Sequence, residues 1–173
     1  MPDMLVKLYT LPAVDPILAD LGRRGVEVRQ AFPAEKSAVT EWISRHFEPA
    51  WADECEVALA NRPVSCYIAV EKRRDHHSKD AYDLPAERLL GFACYDATRK
   101  GMFGPEGVRA EYRGRGLGRA LLLACLHAMV RDGYAYAVIG QAGPLDFYAK
   151  TVGATVIDGS EPGIYRGPLL GEV

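Results

Sequence analysis

The sequence predicts a mixed α/β domain, with a central twisted sheet of mixed strand direction flanked by helices on both faces. Three observations predict it. Short apolar segments with the two-residue period of strands recur between segments with the helical period. Glycine and proline punctuate nearly every join between them. One glycine- and arginine-rich stretch, Arg113-Gly114-Arg115-Gly116-Leu117-Gly118-Arg119, opens the longest apolar-rich run of the chain.

Taken in order, residues 4–9 alternate as a short strand, and Asp15-Pro16 supplies an N-cap and a first-turn proline for a helix that Gly22 and Gly25 help to end. Residues 26–32 alternate again. A helix over residues 34–47 follows from the spacing of Val39, Trp42, Ile43 and His46, and after Pro49 a second runs over residues 50–60 with Trp51 and Cys55 on one side. Residues 65–70 and 89–95 read as strands joined across a strongly polar interlude, residues 71–87, expected to be an exposed and mobile loop. Arg99-Lys100-Gly101 makes a turn into a strand over residues 102–110, where Gly104, Pro105 and Gly107 imply a bulge or a splayed ladder.

The run from Gly116 to Arg131 carries a broad apolar stripe and stops at Gly133. Residues 134–139 form an almost continuous apolar strand, expected to be central and buried. Pro144 starts a short helix with Phe147 and Tyr148 that Gly153 closes; strands near residues 155–157 and at Ile164-Tyr165 complete the pattern. Phe147 is expected in the core, His46 at a half-buried polar edge and His127 at the surface, neither histidine with a chemical role.

With 173 residues, 49% of them hydrophobic, the chain can bury the core of one domain. A net charge of −2 without a dominating basic block argues against nucleic acid and for a small soluble partner. Cys55, Cys66, Cys94 and Cys125 are widely spaced and never form C-x-x-C, so they read as reduced and buried, with no metal expected. No cationic leader with an apolar segment and no apolar run of membrane-spanning length are visible, so a cytoplasmic protein without a membrane role is expected.

Chemistry concentrates in the glycine-arginine loop. Glycines there let backbone N–H groups crowd together, the following helix presents the positive end of its dipole, and Arg113, Arg115 and Arg119 add charge. Such a cradle suits a phosphate or pyrophosphate. It lacks the Gly-Lys-Ser/Thr ending of an ATP phosphate loop and does not meet the dinucleotide fingerprint G-x-G-x-x-G.

Residues 108–122, with Arg113, Gly116 and Gly118 at the signature positions, resemble the acyl-CoA-binding motif of the GCN5-related N-acetyltransferase (GNAT) superfamily. The order of elements over residues 26–167 is similar as well, which implies a single domain over residues 1–173 with residues 1–25 as an extension packed on it. The resemblance implies an acetyl-CoA-dependent enzyme that releases CoA and acetylates a primary amine of a small molecule by direct attack. A non-catalytic acyl-CoA-binding or regulatory domain, or an enzyme acting on a protein or peptide amine, are the alternatives.

By the same resemblance, Gly107, Val108 and Ala110 lie along the pantetheine arm, and the loop Arg113, Gly114, Arg115, Gly116, Leu117, Gly118 and Arg119 holds the phosphates. The next strand splays at Val138, Ile139 and Gly140, and Gln141 stands where relatives often carry an asparagine that orients cofactor or water. Tyr148 corresponds to the tyrosine beside the cofactor sulfur and is expected to be the general acid, with Glu106 as the base. Pro105 removes one backbone donor from the strand that meets the arm. Glu54, Tyr95 and Glu161, together with Glu106, are expected to form an acidic pocket for a cationic amine. A homodimer through the last strands is also implied.

Overall fold

The computed structural model describes residues 1–72 and 87–164. Its elements, in chain order, are β1 (Met4–Lys7), α1 (Asp15–Arg23), β2 (Val26–Gln30), α2 (Lys36–His46), α3 (Pro49–Ala60), β3 (Cys66–Lys72), β4 (Glu87–Tyr95), β5 (Met102–Val108), α4 (Leu117–Arg131), β6 (Tyr136–Ile139), α5 (Leu145–Val152) and β7 (Thr155–Val156). The strands form one seven-stranded sheet in the order β2-β3-β4-β5-β6-β1-β7. All neighbours are antiparallel except β5 and β6, so the predicted mixed α/β class is what the chain adopts.

Two cores lie on the two faces of this sheet. One joins α4 with β1, α1 and the buried side of α5; the other packs α2 and α3 on β3 and β4 through Ile43, Cys55, Ile68 and Phe92. β3 and β4 make the predicted hairpin, pairing from Cys66 opposite Cys94 to Lys72 opposite Glu87 with one shift of register between Ala69 and Val70. The middle of the polar interlude, residues 73–86, lies outside the described residues. The turn into β5 is fixed by Asp96, whose carboxylate accepts the Gly101 N–H at 2.7 Å and the Tyr134 hydroxyl at 2.7 Å.

The first residues are an integral part of the fold. β1 pairs with β6 on one side, Met4 opposite Ile139 to Lys7 opposite Tyr136, and with β7 on the other. A strand of two residues such as β7 has no stability of its own, so β1 is what attaches it to the sheet. α1 and the turn after β1 lie over α4, which explains why ten of its 15 residues are buried rather than a single stripe. His127, on that outer side, is bound through Nε2 to the Pro12 carbonyl at 2.9 Å.

Four local expectations change. Val14 already has helical dihedrals and is the N-cap of α1, so Asp15 sits inside the first turn, where its charge still complements the dipole. Tyr134 lies in the turn before β6, and Tyr136 is 49% exposed and packs edge-on against Tyr9, so β6 is buried only along its later residues. Ile164 belongs to an exposed turn, and Tyr165 lies outside the described residues. His46 is exposed, its Nδ1 bound to the Trp42 carbonyl at 2.8 Å.

Leu122 is fully buried in α4. Leu122→Ala is expected to lower the unfolding free energy by about 2–5 kcal/mol, measured by urea denaturation, because the surrounding layers cannot collapse onto the gap. A loss below about 1 kcal/mol contradicts the two-sided burial of this helix.

Candidate active site

β5 and β6 are paired over two rungs only, Met102 with Val138 and Phe103 with Ile139. Beyond these rungs the strands part. The reason is local: β4 and β5 lose register between Ala93 and Tyr95, which places the extra residue of a bulge around Gly104 and Pro105, and proline has no N–H to continue a ladder. Past the bulge, β5 pairs with β4 alone. The Arg109 N–H donates to the Leu90 carbonyl at 3.0 Å, and antiparallel pairing alternates, so the main-chain groups of Glu106 and Val108 face away from β4 into the gap.

A cleft of about 630 Å³ fills this gap, bounded by β5, by the start of α4, by Gly143, Pro144 and Phe147, and by the aromatic pair Phe47 and Trp51. Those two rings stack at 5.6 Å with 21° between their planes. Gly107 makes that wall possible, because a Cβ there would lie 2.7 Å from the Phe47 ring.

The loop before α4 bends through Gly114 (φ 73°) and Gly116 (φ 86°), both left-handed, and Gly116 is the N-cap without any side-chain cap. The first intrahelical bond runs from the Ala120 N–H to the Gly116 carbonyl at 3.0 Å. The amides of Leu117, Gly118 and Arg119 therefore have no carbonyl one turn back, and these residues line the cleft. Arg113 ties the loop to β5 by donating from Nε to the Val108 carbonyl at 3.0 Å.

Glu106 projects from β5 toward the same helix start, with Oε1 3.2 Å from where a Cβ on Gly118 would stand. That oxygen is buried and has no hydrogen-bond partner among the described residues. Burial pushes its carboxyl up to about 8. Tyr148 is buried behind it with its ring edge toward Phe103; burial, and then the charge of Glu106, push its phenol up. On the far side of Glu106 is a second hollow of about 200 Å³, lined by Glu48, Glu54, Phe103, Gly140 and Gln141 among others. Glu106 and Trp51 line both spaces and form the partition between them.

Residues 36–154 match the acetyltransferase (GNAT) family. The chain belongs to this family. Solved structures with the same fold include a GCN5-related glucosamine N-acetyltransferase region of a fungal multi-domain GH3 β-N-acetylglucosaminidase, at 15% identity over 90% of this chain and 19% of that one, with a TM-score of 0.67. GCN5-related N-acetyltransferases from Sphaerobacter thermophilus (19% identity, 90% and 48% covered, TM-score 0.56) and Kribbella flavida (17%, 90% and 53%, TM-score 0.51) are similar too. The chain thus spans between a fifth and about half the length of these structures, and at such identities the likeness concerns the fold. No curated protein matches the chain.

In this GNAT domain the cleft brings together Glu106, Gly107, Val108, Arg113, Gly114, Gly116, Leu117, Gly118 and Arg119 of the residues singled out in the sequence. Ala110 lies outside it, exposed at the start of a 3-10 turn. Arg115 turns away to pack its guanidinium over the Tyr112 ring at 5.2 Å. Gln141 (φ 43°) belongs to the second hollow; its N–H donates to Asp3 at 2.8 Å, and its side chain to the Pro162 carbonyl at 3.4 Å.

Glu54 also lines the second hollow, accepting a hydrogen bond from the Thr98 hydroxyl at 2.5 Å. Glu161 does not line it and meets it through Met1, whose amino group it binds at 2.5 Å. Tyr95 is elsewhere: its hydroxyl donates to Asp132 at 2.7 Å, just past the far end of α4, because its side chain falls on the α4 face of the sheet. Phe147, expected in the core, lines the cleft wall, whereas its neighbour Tyr148 is buried.

Sequence reasoning overlooked Phe47 and Trp51 as cleft residues. Their only signal was the pair of large aromatics bracketing the Pro49 helix break.

Gly118→Val places a branched side chain against Glu106 Oε1 and Val108 in the mouth of the cradle. Its affinity for CoA, measured by calorimetry, is expected to fall at least about tenfold. Gly22→Ala, at a site with open space around it, is expected to leave that affinity unchanged.

Proposed function

We propose that this chain transfers an acetyl group from acetyl-CoA to the primary amine of a small cationic molecule by direct attack. The observation that carries this reading is the position of Glu106, whose buried Oε1 has no hydrogen-bond partner among the described residues, in the partition between an amide-lined cleft and an acidic hollow.

The donor side fits a diphosphate: unbonded amides converge at the start of α4, glycines leave them uncovered, and Arg113 and Arg119 line the same cleft. On the free edge of β5, the main-chain groups of Glu106 and the Val108 N–H are open for the amides of a pantetheine arm, the Val108 carbonyl being held by Arg113. Acetyl-CoA, when bound, supplies a thioester carbonyl for the amine to attack and a sulfur that leaves. The glutamates of the second hollow, Glu48 and Glu54, attract and orient a cationic acceptor.

An ammonium cannot attack, so a proton must leave it first. Glu106, with a carboxyl near 8, is a base matched to that task, and it is ionised increasingly as pH rises. Tyr148 keeps its phenolic proton at neutral pH; its ring is buried beside Glu106 and does not line the cleft, so its role as donor to the leaving sulfur requires its hydroxyl to reach the cleft when the thioester is bound. Trp51, stacked on Phe47, lines both spaces and covers their join beside Glu106 with an apolar ring.

Acetyl-transfer assays across polyamines, amino acids, aminoglycosides and peptides test the acceptor class. Cationic small amines are expected to be used, and exclusive use of anionic acceptors, or tight acetyl-CoA binding with no turnover on any acceptor, overturns the reading. Glu106→Gln is expected to lower kcat by about 10²–10⁴-fold and to abolish the rise of kcat/KM with an apparent value near 8. Tyr148→Phe is expected to lower kcat by a similar factor with CoA affinity unchanged.

Glu106 also makes stability depend on pH. Its folded-state value lies above the ordinary 4.5, so the fold is favoured while the group is protonated and loses stability as pH climbs toward about 8. Denaturant titrations across that window are expected to show the loss in the wild type and a flatter profile in Glu106→Gln.

A further inference from the structure

Three cysteines from three elements meet in the core beneath α3. Cys66 and Cys94 face each other across the β3–β4 register, and Cys55 descends on them from the helix, its Sγ 3.7 Å from that of Cys66. All three sulfurs lie within 4.8 Å of one another, and each residue is 0% exposed. Among the described residues no histidine, carboxylate or fourth thiol joins the group. Cys125 sits in the other core, across the sheet.

We propose that Cys55, Cys66 and Cys94 form a binding site for a trivalent thiophilic metalloid, arsenic(III), held by three sulfurs. Distances support it: bonds of about 2.3 Å from sulfur to a common centre put three donors about 4 Å apart in a plane, and closer in a pyramid. Coordination number supports it too. Zinc asks for a fourth ligand that this group does not contain. Arsenic(III) is complete with three, its lone pair occupying the remaining direction.

Charge decides the choice. The surrounding core is apolar, with Ile43, Ala58, Ile68 and Phe92 as members. A buried complex there must be close to neutral, since an unpaired charge in such a medium is strongly disfavoured. Three thiolates leave copper(I) at −2 and zinc or mercury(II) at −1. With arsenic(III) the sum is zero.

The reaction balances without redox change. As(OH)3 and three S–H groups give As(SR)3 and three waters: three As–O and three S–H bonds break, three As–S and three O–H bonds form, and arsenic stays trivalent. The site lies outside both the cleft and the acidic hollow and does not depend on acetyl transfer. Its link to them is α3, which carries Trp51 and Glu54 into those spaces.

The test uses the full, reduced protein with sodium arsenite. Intact-mass spectrometry is expected to show one arsenic gained and three hydrogens lost. After denaturation, one of the four cysteines, Cys125, should react with maleimide instead of four. The melting temperature should rise, because binding favours the folded chain. Cys55→Ala, Cys66→Ala and Cys94→Ala are each expected to weaken binding about 100-fold, and Cys125→Ala to leave it intact.

No adduct, a lowered melting temperature, undiminished binding by Cys94→Ala, or uptake of zinc or copper(I) without arsenite would each overturn the proposal. The mass and maleimide readouts on the unmutated protein decide it even where a variant does not fold.

Discussion

Two rungs of parallel pairing, Met102 with Val138 and Phe103 with Ile139, are the constraint on which the rest of this structure depends. They are enough to hold β5 and β6 in one sheet, and they stop where Gly104 and Pro105 remove the means to continue. Every feature of chemical interest follows from the stop. It frees one edge of β5, opens the cleft toward α4 and leaves the acidic hollow on the other side. Had the ladder run on, the main-chain groups of Glu106 and Val108 would be paired with β6 and the cleft would be sheet.

The parting also sets the electrostatics. Glu106 is held near the start of α4, where unbonded amides and the helix dipole favour negative charge by about 0.3–1 kcal/mol. Its carboxyl nevertheless rises to about 8. Burial is therefore the larger effect. The same helix start leaves its amides uncovered toward the cleft, so one end of one helix presents unpaired N–H groups beside a carboxyl that burial favours in its neutral form.

Support for this opening comes from the first residues of the chain. Asp3 is 7% exposed, accepts the Gln141 N–H through its side chain and the Ile157 N–H through its carbonyl, and donates its own N–H to the Ser160 hydroxyl. The Pro2 carbonyl accepts from Ala142. These bonds tie the segment leaving β6 to the last described strand, so the far wall of the cleft is braced by residues more than a hundred positions away. Nothing in the local pattern of residues 1–5 announces that task, because a strand's partners are not written in its alternation.

The sequence by itself determined the elements and the cradle. Periodicity and punctuation locate the strands and helices within a few residues, and glycine, the one residue type suited to left-handed bends beside uncovered amides, marks the loop before α4. Gly116 and Gly118 were legible for that reason, whereas Glu106 was reached only through the family resemblance. Tertiary structure alone decided which side chains share a space: that β1 lies between β6 and β7, that Tyr95 points to the far end of α4, that Phe147 and not Tyr148 lines the cleft, and that Cys55, Cys66 and Cys94 converge. The physical reason is that dihedral preferences and apolar periods act over neighbouring residues, whereas the face a residue presents at a site depends on twist, register and bulges summed over the whole sheet.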